Sequence, residues 1–136
     1  NATPAQMLQK IATDESADLI LLGKQGIDSD CGQTGGLLAG FMGIPQVTFA
    51  AKLEVNDEGI LVERETDSGT ESVQASLPAV VTCDLRLNEP RYATLPNIMK
   101  AKKKPVDTVL ADSLGVDLEP QNIVLDWTMS AGWKRC

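Results

Sequence analysis

Near the start of this chain an apolar segment, a glycine-rich polar loop and a second apolar segment follow one another without a break. That succession limits the possible folds more than any other feature. Ala17-Asp18-Leu19-Ile20-Leu21-Leu22 reads as a buried strand, and Gly36-Leu37-Leu38-Ala39-Gly40-Phe41-Met42 reads as a helix. Between them lies Gly23–Gly35, with the sequence Gly-Lys-Gln-Gly-Ile-Asp-Ser-Asp-Cys-Gly-Gln-Thr-Gly. A strand that opens through such a loop onto a helix start forms an anion site. The first N–H groups of the helix have no partner within it and carry the positive end of its dipole. Glycines let the loop bend tightly and let a ligand reach the main chain. Thr34 suits the N-cap. The candidate phosphate or nucleotide site is therefore Gly23, Lys24, Gln25, Gly26, Ile27, Asp28, Ser29, Asp30, Cys31, Gly32, Gln33 and Thr34. The spacing matches neither the Walker pattern nor the dinucleotide fingerprint, so a polar connector that binds nothing is the competing reading.

The elements around this loop set the fold class. Thr3 and Pro4, as N-cap and first helical residue, predict a helix whose stripe is Met7, Leu8, Ile11 and Ala12, ending at Asp14-Glu15-Ser16. Helix, strand, loop, helix and a further strand at Gln46–Ala51 give the α/β alternation of a mostly parallel sheet with flanking helices. In such sheets the ligand crevice lies at the carboxyl ends of the strands, where Gly23–Thr34 falls. From Lys52 the period changes to two. Lys52–Val55 and Ile60–Glu65 flank Asn56-Asp57-Glu58-Gly59, and Glu71–Leu77 alternates again after a turn at Asp67–Thr70. An antiparallel meander is predicted there. Ala79-Val80-Val81-Thr82-Cys83 is continuously apolar in character and should return to the main sheet as a buried strand.

With 136 residues the chain can build one domain with its own core. No apolar run reaches bilayer-spanning length. The first residue is Asn1 and a helix pattern begins almost at once, so the expectation is that the chain starts inside a longer protein. Cys31, Cys83 and Cys136 are far apart and there is no histidine, which excludes zinc fingers, zinc ribbons and a Cys–His nucleophile within this chain. Sparse, odd cysteines suit a reducing compartment. The net charge of −7 is unevenly spread: residues 86–104 hold six basic side chains and one acidic. A short basic island in an acidic chain points to a local docking role rather than to general polyanion binding.

That island reads Asn88-Glu89-Pro90-Arg91-Tyr92-Ala93-Thr94-Leu95-Pro96-Asn97-Ile98-Met99-Lys100-Ala101-Lys102-Lys103-Lys104. Thr94 or Leu95 caps a short helix with Pro96 in its first turn, and Pro105 stops it. Leu95, Ile98 and Met99 share one face, with lysines gathered at the carboxyl end. An exposed apolar anchor beside cations makes a docking surface; a helix packed on the core with a solvated lysine run is the alternative. Nucleic-acid binding is disfavoured, because only Tyr92 is nearby for stacking and the chain is acidic.

Asn88–Lys104, preceded by Leu77–Thr82, closely resembles the β-subunit family of electron transfer flavoproteins; Gly23–Thr34 looks like the same family's AMP-binding loop, and the resemblance runs from about Leu8 to Leu118. It implies an adenine-nucleotide-hydrolase-like α/β fold with the meander added. It implies that Gly23–Thr34 lines a pocket for a structural AMP and that the redox-active FAD is held mainly by an α subunit. Arg91, Tyr92, Leu95, Pro96, Ile98 and Met99 would form the partner-recognition loop, with Leu95 the anchor entering a pocket on acyl-CoA dehydrogenases. Lys100 and Lys103 match lysines methylated in animal members. Electron transfer flavoprotein–quinone oxidoreductase is a further implied partner, and fatty acid β-oxidation the setting. The implied location is the mitochondrial matrix, with bacterial cytoplasm as the alternative. The family chain is longer on its amino-terminal side. Residues 1–119 thus read as a partial family domain and 120–136 as a divergent tail, where Trp127, Trp133 and Lys134-Arg135-Cys136 have no functional account. The resemblance implies an electron-carrier subunit rather than an enzyme. The other reading is a nucleotide-binding α-hydrolase-type enzyme that uses Asp28 and Asp30 to hold Mg²⁺, although no Ser-Gly-Gly loop or general base accompanies them.

Overall fold

The structure, a computed structural model, describes residues 2–119 and 124–128. The elements are α1 (Ala2–Asp14), β1 (Leu19–Gly23), α2 (Thr34–Met42), β2 (Gln46–Asn56), β3 (Gly59–Thr66), β4 (Gly69–Ala75), β5 (Ala79–Cys83) and α3 (Leu95–Ala101), followed by a 3-10 turn at Ala111–Leu114. The strands form one five-stranded sheet in the order β1-β5-β2-β3-β4. β5 runs parallel to β1 and to β2, whereas β3 pairs antiparallel with β2 and β4. The fold is α/β, with a parallel half that carries the glycine loop and an antiparallel half made by the meander.

The two halves share a strand. Sequence periodicity separates a strand at Gln46–Ala51 from a hairpin arm at Lys52, but β2 is a single strand of 11 residues spanning both. Its register slips between Val47 and Ala50 against β5, and between Ala50 and Lys52 against β3. Phe49 lies in this irregular stretch with φ +59°. A bulge of this kind bends the strand and re-aims its side chains, which lets β2 change partner without ending. The turn after it is as expected: Asn56 pairs with Gly59, and the Asn56 Oδ1 accepts the Glu58 N–H at 3.0 Å.

β5 is the central strand, and four of its five residues are buried. Because side chains alternate across a strand, its residues feed two cores. Ala79 and Val81 join Val47, Ala50, Ile60 and Val62 on one face. Val80 joins Ala5, Leu38 and Ala39 on the other, beneath α1 and α2. Burying a side chain such as Leu38 or Val81 contributes about 1.5–3 kcal/mol.

Two helix starts differ from the sequence reading. α1 already includes Ala2, so Thr3 and Pro4 sit inside its first turn instead of at its cap. In α2 the cap position falls on Gln33, at φ −96° and ψ −23°, and Thr34 is the first helical residue, not the N-cap. The helix gains a residue because the backbone is already helical at Gln33, letting its carbonyl accept the Leu37 N–H at 2.9 Å. Only part of the expected α1 stripe meets the core: Leu8 packs against the cluster of Ala5, Leu38, Ala39 and Val80. Ala5 and Ala12 are buried while Ile11 stays 42% exposed. Ile11 borders a groove beside β1, a strand that pairs only with β5 among the described residues. Most of the tail lies outside the described residues, including Trp133, Lys134, Arg135 and Cys136; Trp127 is described and exposed.

Candidate functional site

The glycine loop begins where β1 ends. Gly23 is opposite Cys83 in the parallel ladder, and the Lys24 N–H donates to the Cys83 carbonyl at 3.0 Å. The Lys24 ammonium continues the link, donating to Asp84 Oδ2 at 2.8 Å. Asp84 Oδ1 accepts the Arg86 N–H at 3.2 Å. The Lys24 hydrogen bond, seconded by the Arg86 N–H, holds the Asp84 carboxyl below its ordinary range. Next to it, burial pushes the Cys83 thiol up, making it a poor nucleophile.

Beyond Lys24 the chain closes on itself. The Asp30 N–H donates to the Gly26 carbonyl and the Gln25 amide donates to Asp30 Oδ1, both at 2.9 Å. Asp30 and Gly32 adopt left-handed φ values of +50° and +59°, a conformation in which Asp and Gly are the tolerated residues. The Cys31 thiol donates to the Ser29 carbonyl at 3.4 Å. The result is a cleft of about 80 Å³ lined by Gly23, Lys24, Gln25, Gly26, Ser29, Cys31, Gly32, Gln33, Thr34 and Gly35.

Most of the residues singled out by sequence therefore converge, but Ile27, Asp28 and Asp30 do not line the cleft. Ile27 is 98% exposed at the loop tip. Asp28 folds back over Gly26, where an added Cβ would lie 2.7 Å from its Oδ1. Asp30 is engaged by Gln25. No group of three or more metal-ligating side chains occurs among the described residues, so the Asp28/Asp30 pair gains no third ligand here. Gly35 was not among the sequence candidates. An added Cβ there would sit 2.3 Å from Thr82 Cγ2, so α2 can approach β5 only with glycine at that position. A glycine in the first turn of a predicted helix was the available signal.

A second cleft of about 500 Å³ opens beside the first, sharing Lys24 and bordered by Phe49, Arg64, Glu65, Thr66, Asp67, Asp84 and Arg86. Periodicity gives no hint of it, because its walls come from the bulge in β2, the end of β3 and the loops that follow β1 and β5.

The basic island forms α3, with Thr94 extended at its cap and Pro96 in the first turn, as the sequence predicts. No residue of α3 is buried. Leu95 is 72% exposed, Met99 50% and Ile98 39%, so this apolar face does not pack on the core. Tyr92, Ile98, Lys100 and Lys104 help line a groove of about 580 Å³ beside Arg91, while Leu95 stands outside it. Lys100, Lys102, Lys103 and Lys104 are exposed, and none joins an ion pair among the described residues.

A mixed sheet, helices over one face and a glycine loop at the carboxyl end of a parallel strand define an α/β protein. The electron transfer flavoprotein domain model matches residues 1–114, and the chain belongs to that family. It is 60% identical over 114 residues to the bovine (Bos taurus) electron transfer flavoprotein subunit beta, covering 84% of this chain and 45% of that one. The mitochondrial subunit beta of Oryza sativa subsp. japonica is 52% identical over 124 residues, 91% of this chain and 49% of its own. The Bradyrhizobium diazoefficiens subunit beta is 52% identical over 130 residues, 96% of this chain and 52% of its own. The chain thus spans about half the length of the curated relatives it matches.

Proposed function

We propose that this chain works as part of the β subunit of an electron transfer flavoprotein, as a carrier component and not a catalyst. In this reading it holds a structural AMP at Gly23–Thr34 and presents Arg91–Lys104 to acyl-CoA dehydrogenases. Electrons then pass to an FAD held mainly by an α subunit and leave toward electron transfer flavoprotein–quinone oxidoreductase. The observation that carries the docking role is the open apolar face of Leu95, Ile98 and Met99 beside a lysine cluster. A small anchor supplies the local contact, and the cations steer a brief encounter. Methylation of the exposed Lys100 and Lys103 keeps their charge while removing N–H donors, which would tune the encounter without abolishing it. The location that fits is the mitochondrial matrix, or the cytoplasm for a bacterial protein.

The adenylate role is supported by the cleft that the glycine loop forms with the start of α2, and by the left-handed turns at Asp30 and Gly32. The cleft of about 80 Å³ accommodates a phosphate group. It is well below the roughly 300 Å³ of ordinary small-molecule pockets. In this reading Lys24 and Gln25 flank the phosphate, and the nucleoside is held by residues beyond this chain. Calorimetry on the 136-residue chain should therefore show only weak AMP binding; tight binding would mean that the described loop suffices. The engagement of Asp30 by Gln25 and the position of Asp28 away from the cleft give the Mg²⁺-dependent enzyme no support.

The docking test is Leu95→Ala in a complete heterodimer. Electron uptake from a dehydrogenase should slow about tenfold, equivalent to about 1.4 kcal/mol of lost transition-state contact, with the flavin spectrum unchanged. Unaltered electron uptake would remove Leu95 from the docking surface.

A further inference from the structure

We propose that Thr82 is a positioning residue that joins the two clefts at the carboxyl end of the sheet, so that displacement of the glycine loop is felt at Phe49. Thr82 is 4% exposed and is the one buried polar side chain among the described residues. A buried hydroxyl requires a hydrogen-bond partner, and here its Oγ1 accepts the Phe49 N–H at 3.2 Å. That amide belongs to a non-glycine residue in the left-handed region, φ +59°. Such a conformation persists where the surroundings hold it in place, and the Thr82 hydroxyl is the visible restraint. The other branch of the same side chain faces α2. Thr82 Cγ2 lies 2.3 Å from where a Cβ on Gly35 would stand, so the first turn of the helix rests on that methyl.

The two branches share one Cβ, and χ1 of a β-branched residue is stiff. Rotation that would release Phe49 would also drive the side chain against Gly35, and a shift of α2 would press on the group that restrains Phe49. Gly35 is a wall of the glycine-loop cleft, Phe49 is a wall of the larger cleft, and Lys24 borders both. The identity of the ligand at the loop rests on the adenylate reading above; the linkage through Thr82 does not.

Amide hydrogen exchange and chemical shifts of the 136-residue chain test the linkage, using two variants that divide the side chain. Thr82→Val keeps both branches and removes the acceptor: the Phe49 amide should exchange at least tenfold faster while the Leu37 amide, bonded to the Gln33 carbonyl across the first turn of α2, is unchanged. Thr82→Ser keeps the acceptor and removes the methyl: the Leu37 amide should exchange at least tenfold faster with Phe49 still protected. Equal loosening of both regions in both variants, or no change in either, overturns the proposal. Should Thr82→Val fail to fold, the unsubstituted chain decides, since a Phe49 amide exchanging at the unprotected rate also overturns it. Titration with AMP at millimolar concentration adds the functional arm. Loop amides that move together with Phe49 in the unsubstituted chain, but without it in Thr82→Val, support the linkage. Loop amides that move while Phe49 stays still refute it. Loop amides that do not move mean that the 136-residue chain by itself does not take up AMP at this concentration, and the exchange data then decide the role of Thr82.

Discussion

Asp84 and Lys24 are sixty residues apart in sequence and 2.8 Å apart in space, and their pairing fixes the base of the glycine loop. The Asp84 carboxyl is held below its ordinary value, first by the Lys24 hydrogen bond and then by the Arg86 N–H. A depressed carboxylate binds its proton more readily in the unfolded chain. The stability it contributes is therefore complete above the ordinary carboxylate value of roughly 4 and is lost as pH falls through the lower, folded value. Asp84→Asn should lower the urea midpoint at neutral pH and flatten its decline between neutrality and strong acid. An acid limb as steep as that of the unsubstituted chain would show that the pair does not link folding to protons. The Lys52 ammonium is held above its ordinary value by the hydrogen bonds it donates to Glu54 and Glu63, but this group lies at the surface and surface pairs contribute little to stability.

Helix α2 depends on packing more than on propensity, because it contains three glycines among nine residues. Glycine costs up to about 1 kcal/mol per interior helix position relative to alanine, and tertiary burial has to offset that. Leu38, fully buried against Val80 and Ala5, is the side chain placed to do so. Leu38→Ala should destabilise the chain by about 2–5 kcal/mol. In urea this should move the midpoint down with an unchanged slope. A loss of less than about 1 kcal/mol would mean that the site collapses around the smaller side chain, as exposed positions do. α3 is the contrasting element, since its seven residues bury nothing, and so short a helix alone is marginal in water. Thr94 and Pro96 set its start by local chemistry, which is why it was legible from sequence.

Across the whole molecule the parallel edge is the weak margin. β1 is four apolar residues and a glycine, paired on one side only among the described residues, with Leu21 52% exposed. Leu8, Ile11, Leu19 and Leu21 border an apolar groove of about 270 Å³ beside it. An uncharged, unpaired edge is a template for further strand pairing. The 136-residue chain should show concentration-dependent association by sedimentation velocity, and Leu21→Lys should suppress it. A Leu21→Lys chain that associates as strongly as the parent would place the contact elsewhere. The opposite edge is protected by composition, as β4 carries Glu71, Ser72 and Gln74.

The sequence by itself determined the elements whose causes are local. The apolar run before a glycine loop, the two-residue period of the meander, the Asn56–Gly59 turn and the proline-marked start of α3 all act within a few residues, so their signals are written in order along the chain. Tertiary structure alone decided what required distant segments to meet. It placed β5 between β1 and β2, carried β2 through its bulge with Phe49 in a left-handed conformation, joined Lys24 to Asp84, and seated Gly35 on Thr82. It also left Asp28 folded over Gly26 instead of lining the cleft that its neighbours form. Packing and strand order are settled by which buried surfaces fit together across the sheet, and no local pattern of residues records that fit.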